Sequence, residues 1–248
     1  MKKIVILSCA VVLFASCSRQ SNVSPTKTAS LNLLVANTKS KILSQTGRIS
    51  TANGALEVSS FLMSIANVRI EENSGNDVQQ GGNSGSNDGN DSPETSSPEG
   101  SENSDVMLAG PFTVDAVTGT VSLQKVDVFP GTFKKVDFSM SVQPNLPFNG
   151  GSILVKGFFK SGISSIPFTI QSAFSSRIQL PLAGNGITAK DKSSVTITIT
   201  VDVAQLLGNI DFSGATVTNG EIHVDAIANS GLLKNFETNF VKFMDAAE

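Results

Sequence analysis

The sequence predicts an all-β fold: a two-layer antiparallel β-sandwich with one C-terminal amphipathic helix. Three observations carry that expectation. Apolar and polar residues alternate with period two in several separate stretches, as strands with one buried face require. These stretches are short and divided by polar turns, the pattern of sandwiches. A single segment, near the C-terminus, carries an apolar stripe at helical spacing. The chain has 248 residues, 40% of them hydrophobic, enough for a sizeable core. Fifteen Phe stand beside no Tyr and no Trp, so that core is aliphatic with Phe.

From the N-terminus, Met1-Lys2-Lys3 forms a positive region, Ile4 to Phe14 a short apolar run, and Ala15-Ser16-Cys17 a small-residue cleavage site. A run this short is too brief for a spanning helix and reads as a secretory signal, residues 1–16. Phe14-Ala15-Ser16-Cys17 resembles a bacterial lipobox, with Phe14 where Leu is usual. In lipoproteins of that kind the cysteine is diacylated and becomes the mature N-terminus, and several acyl chains together give stable anchoring. Cys17 is thus the expected lipid anchor. Cys9 is lost with the signal, so no disulfide is expected. Ser18 at the next position is not Asp, which in the best-known sorting system implies passage to the outer membrane. No acidic cluster follows Cys17, which favours the periplasmic face over the cell surface.

Residues 17–27 read as a polar lipidated tether, and residues 28–248 as the sandwich domain. The first strand falls near 31–36. Between Glu57 and Glu72 the apolar parity switches, from Phe61, Met63 and Ile65 to Val68 and Ile70. A bulge near Ala66-Asn67 would restore one buried face. Residues 73–105 hold seven acids, no Lys or Arg, and Val78 as the only large aliphatic. Such a stretch buries too little to offset its ordering entropy, so an acidic insertion is expected to be disordered. With it and Lys2 and Lys3 set aside, fourteen acids face sixteen bases, and the body is nearly neutral.

Further strands are expected near 112–117, 121–128, 132–142, 151–159, 166–171 and 176–182. Pro130-Gly131 fits a type II turn between two of them. Val195, Ile197, Ile199, Val201 and Val203 alternate with Thr196, Thr198, Thr200 and Asp202. Ile222, Val224 and Ala226 alternate with Glu221, His223 and Asp225. Leu232, Phe236, Phe240 and Phe243 recur at helical spacing, with Asn229-Ser230 able to cap the start. A helix closing one end of the core accounts for that stripe better than a membrane-surface helix.

One His and two Cys remove most catalytic chemistry. A Ser-His-Asp or Cys-His site would have only His223 to use, and a multi-His zinc site is impossible within one chain. The charge balance supplies no basic field for nucleic acid. Glu221, His223 and Asp225 share one strand face and could begin a metal site, but no second His completes it, and a solvated face explains them. Asp88-Gly89-Asn90-Asp91 has calcium-ligand residue types without the terminal bidentate Glu. Ser24-Pro25-Thr26-Lys27 and Ser122-Leu123-Gln124-Lys125 match S-x-x-K, and Lys160-Ser161-Gly162 resembles K-T-G, the set of penicillin-recognising serine enzymes. That chemistry needs the Ser at a helix N-terminus, whereas these fall in a tether and in strands. Gly184-Asn185-Gly186 is a turn signal, because no G-K-[ST] follows. Glycan recognition is disfavoured without exposed Trp or Tyr.

Phe112-Thr113-Val114-Asp115 with Val128-Phe129-Pro130-Gly131-Thr132-Phe133-Lys134-Lys135-Val136 resembles a "DL…vPaGtYkki" pattern of uncharacterised Gram-negative lipoproteins. Val195 to Val203 with Asn209-Ile210-Asp211-Phe212 resembles their long strand and "iDfs" segment. Ala228-Asn229 and Leu232-Leu233-Lys234-Asn235-Phe236 resemble their closing helix. The resemblance implies a lipid-anchored β-sandwich and no known activity.

The expected function is that of an outer-membrane-anchored lipoprotein acting as a non-enzymatic binding or structural module. No catalytic residue, metal or cofactor is expected. Its expected partners are the membrane, reached through the N-terminal lipid, and a protein of the cell envelope. The alternative is a fimbrial, pilin-like subunit that polymerises after a cut at Arg48, in Gly47-Arg48-Ile49, releases an N-terminal strand.

Overall fold

The computed structural model describes residues 28–37, 48–51, 53–73, 105–118 and 120–247. The signal, the tether with Cys17, and residues 74–104 of the acidic insertion lie outside them. In chain order the strands begin with β1 (Ala29–Asn37), β2 (Arg48–Thr51), β3 (Gly54–Glu72), β4 (Val106–Leu108) and β5 (Phe112–Asp115). They continue with β6 (Val121–Val128), β7 (Gly131–Met140), β8 (Ile153–Ser161), β9 (Ser164–Ser172), β10 (Arg177–Pro181), β11 (Ile187–Ala189) and β12 (Ser194–Val201). Helix α1 (Val203–Gly208), β13 (Val217–Thr218), β14 (Glu221–Val224), α2 (Ser230–Phe240) and β15 (Met244–Ala247) complete the chain.

The fold is all-β, with two packed sheets and one C-terminal helix, as the alternating sequence requires. The smaller sheet has the order β15-β12-β1-β6, and the larger runs β10-β7-β3-β8-β9-β14-β13. β1 turns Ala29, Leu31, Leu33 and Val35 inward, and β12 turns Val195, Ile197, Ile199 and Val201 inward behind its outer threonines. Most pairings are antiparallel. β1–β12 and β9–β14 are parallel, which the expected antiparallel sandwich did not include.

β3 is the spine of the larger sheet. Its first half pairs with β8 through Ala55–Met63, and its second half pairs with β7 from Ile65 onward. On its other edge lie β2, β5 and β4 in turn. One strand serves both halves because of a bulge where the parity switch placed it. The β3–β7 register breaks between Ala66 and Arg69, and Asn67 takes the left-handed conformation at φ 53°. Phe61, Met63, Ile65, Val68 and Ile70 are consequently all buried on both sides of the break.

Several expectations need correction. Pro130-Gly131 does not make a type II turn, because Gly131 lacks the required positive φ. β6 belongs to the smaller sheet and β7 to the larger, so the dipeptide is a corner between layers. At that corner Gly131 lies beside the carboxylate end of the Glu72 side chain. The strand expected over 195–203 stops at Val201. Asp202 then caps α1 by accepting the Gln205 N–H at 2.9 Å, which turns Val203, Leu206 and Leu207 into the core.

The C-terminal helix buries Leu233, Phe236 and Phe240, while Leu232 and Phe243 pack half-buried beside them. Phe61 meets Phe236 at 6.3 Å between ring centroids, and Phe174 meets Phe240 edge-on at 5.8 Å. The helix closes one end of the core. Asn229 does not cap it with a side-chain bond. Its amide donates to the Thr216 and His223 carbonyls, and its oxygen accepts the Thr216 N–H.

The acidic insertion begins against β7 and ends against the spine. The Asn73 N–H donates to the Thr132 carbonyl at 2.7 Å. The Asp105 carboxylate accepts Arg69 Nε at 2.9 Å and the Glu72 N–H at 3.1 Å. Asp105, placed in the disordered stretch by composition, is therefore part of the folded body.

Candidate functional site

A recess forms where three segments leave the larger sheet together. β9 ends at Ser172 and continues as Ala173-Phe174-Ser175. Its parallel neighbour β14 ends at Val224 and turns through Asp225-Ala226-Ile227. Leu233 and Glu237, one helical turn apart on α2, complete the wall. Parallel pairing is what brings these exits to the same end. The result is an open groove of about 620 Å³ with Gln171, Phe174, Asp225, Ile227, Leu233 and Glu237 around it.

The 225–229 loop is braced at each step. Asp225 Oδ1 accepts the N–H groups of Ile227 and Ala228, both at 2.7 Å, and the Asp225 N–H donates to the Ala228 carbonyl at 2.9 Å. Asn229 then ties the loop to Thr216 and His223. Held by these bonds, Ile227 is 96% exposed at the rim. On the opposite wall Glu237 is fixed by Ser172, a fully buried residue whose hydroxyl donates to Oε1 at 2.6 Å and accepts the Phe174 N–H at 3.0 Å. Gln171 donates to the carbonyls of Phe148 and Asn149, closing the floor. Neither Asp225 nor Glu237 has an ion pair among the described residues. Such a surface, apolar at the rim and anionic on two sides, is suited to holding a ligand.

His223 lies on the outer face of β14, its side chain 44% exposed, with Nε2 3.6 Å from Glu221 Oε2. Glu221 also accepts the Thr169 hydroxyl at 2.7 Å. Asp225 does not continue the i, i+2, i+4 row, because the strand has ended and its carboxylate is used by the turn. Among the described residues no group of three His, Cys, Asp or Glu is placed to hold a metal.

The other singled-out residues lie apart from the groove. Ser122 and Lys125 are on β6, with Ser122 Oγ donating to Asn32 Oδ1 at 3.2 Å. Lys160 pairs with Glu57 at 2.6 Å. Arg48 opens β2 and stands 3.7 Å from Glu57. Cys17, Ser24, Lys27 and the Asp88–Asp91 stretch fall outside the described residues.

A second charged cluster lies on the outer face of the larger sheet. Asp137 is almost fully buried and accepts Arg177 Nε at 3.1 Å and Nη2 at 2.7 Å. That hydrogen bonding raises the Arg177 pKa, as hydrogen bonding to Asp105 raises that of Arg69. These groups are mutually paired and act as a clasp across β4, β3, β7 and β10.

Sequence reasoning missed the groove. Its one signal was Ala226-Ile227-Ala228, an apolar run between turn residues, which reads as a strand end. The segments of the lipoprotein resemblance take structural positions: Phe133 and Phe212 are core residues, and Asp211 caps a short 3₁₀ turn. No known protein family, no curated protein and no solved structure matches the chain.

Proposed function

We infer that the chain is an envelope lipoprotein, held to the outer membrane through acylated Cys17, whose sandwich serves as a non-catalytic binding module. The observation that carries the binding role is the groove itself, rimmed by a braced 225–229 loop that holds Ile227 over it. A preorganised rim lowers the ordering cost of binding. Support for the anchor comes from Met1 to Cys17, whose Phe14-Ala15-Ser16-Cys17 resembles a lipobox. The periplasmic face is the proposed location. Cys17→Ser tests the anchor: the variant should leave the membrane fraction or retain its signal. A variant that stays membrane-bound with the signal removed overturns it.

One observation favours the fimbrial reading as the second choice. β1 precedes Arg48, lies between β12 and β6, and fills the core with Ala29, Leu31, Leu33 and Val35. A cut after exposed Arg48 would detach a strand whose slot another strand could fill. Sequencing the native N-terminus separates the two: a lipidated start at Cys17 supports the module, and a start at Ile49 supports the pilin.

A further inference from the structure

The groove beside α2 carries a charge pattern that specifies more than a binding role. Glu237 reaches it from the helix and Asp225 from the loop, so negative charge stands on two separate walls. Each carboxylate has one oxygen committed: Oε1 of Glu237 to the Ser172 hydroxyl, and Oδ1 of Asp225 to the Ile227 and Ala228 N–H groups. The second oxygen of each accepts no hydrogen bond among the described residues. Lys234, one turn back on the helix, forms no ion pair with Glu237. Asp105, Asp137, Glu71 and Glu57 are matched with Arg69, Arg177, Lys135 and Lys160, so their charge is neutralised where that of Asp225 and Glu237 is not.

Resting on the reading of this groove as the binding face, we propose that it takes a small organic cation, an ammonium or guanidinium joined to an apolar body. The cationic head sits between Asp225 and Glu237, where two anions reinforce one another and charge-assisted hydrogen bonds can form to both open oxygens. The apolar body lies along Ile227, Phe174 and Leu233. A groove of about 620 Å³ falls within the size range of small-molecule sites, roughly 300–1,000 Å³. An anionic ligand would meet two carboxylates and no base. A bare metal ion would leave the apolar rim in water.

The test uses three six-carbon probes of one shape: hexylammonium, hexanoate and 1-hexanol. Each is titrated at pH 7 and low salt against the isotope-labelled protein and followed by amide chemical shifts. Hexylammonium should move the amides of 173–175, 225–228 and 233–237, and should bind about tenfold or more tightly than hexanoate, with hexanol between them. Asp225→Asn and Glu237→Gln keep an acceptor oxygen for the local hydrogen bonds, so they should keep the melting temperature and lose the preference for the amine. Equal binding of all three probes overturns the cation assignment and leaves the binding face standing. No shift at these amides with any probe at millimolar concentration overturns both. An amine that perturbs amides only elsewhere also overturns the proposal.

Discussion

Replacing Phe212 by Ala is expected to destabilise the protein by about 4 kcal/mol. Phe212 is 1% exposed and sits in the 3₁₀ turn that follows α1, which it seats on the inner face of the larger sheet. Its ring lies 5.8 Å from Phe159 on β8 and 5.1 Å from Phe168 on β9. Truncation of a buried Phe costs roughly 3–5 kcal/mol, the lost transfer free energy plus the residual cavity. Two ring partners, each worth about 0.5–1.5 kcal/mol beyond burial, place this site in the upper half of that range. Phe212→Leu refills most of the volume and forfeits the ring contacts, so its cost should be about 1–2 kcal/mol. Urea unfolding reads both values, as midpoint shifts at unchanged slope. A loss below about 1 kcal/mol for the Ala variant would refute the argument, as would equal losses for Ala and Leu.

Asp211, which caps the same turn, gives a pH-dependent prediction. Its pKa is lowered by the Ser213 N–H, then the Ser213 hydroxyl, then the Asn53 amide. A lowered folded value means a contribution that is present above the unfolded pKa, about 3.9, and lost as pH falls through the folded one. The stability gap between wild type and Asp211→Asn should thus be constant near neutrality and shrink on acidification, and a gap unchanged down to pH 2 would contradict it. At the bulge, Asn67→Gly should be nearly neutral, and Asn67→Val should cost about 1–2 kcal/mol by forcing a β-branched residue to positive φ. Thermal melts of the pair check this, and an unchanged melting temperature for the Val variant would count against the left-handed backbone.

The sequence revealed which residues face inward far better than what they face. Period two marks a buried side whatever strand lies next door, so 121–128 was placed without its sheet being known. The Pro130-Gly131 corner shows the gap: tight spacing suggests a hairpin, yet β6 and β7 join different layers. The bulge at Ala66-Asn67 was legible because one extra residue inverts apolar parity. α1 was not, since six residues are less than two turns and only the Asp202 cap announces them. The groove was hidden for a similar reason. Its walls come from residues far apart in sequence, and they converge only because β9 and β14 run parallel.

The placement of β1 also has a consequence in time. Leu31 is in register with Val195, and Leu33 with Ile197, across a separation of more than half the chain. β1, the first of the described strands, therefore waits for β12 before its parallel edge is satisfied. Closing so long a loop before any reward slows the search, and contacts of this range place the chain among the slow folders. Until β12 arrives, Leu31, Leu33 and Val35 form an apolar strand with an open backbone edge, the kind of surface on which chains aggregate. Refolding yield should accordingly fall as protein concentration rises.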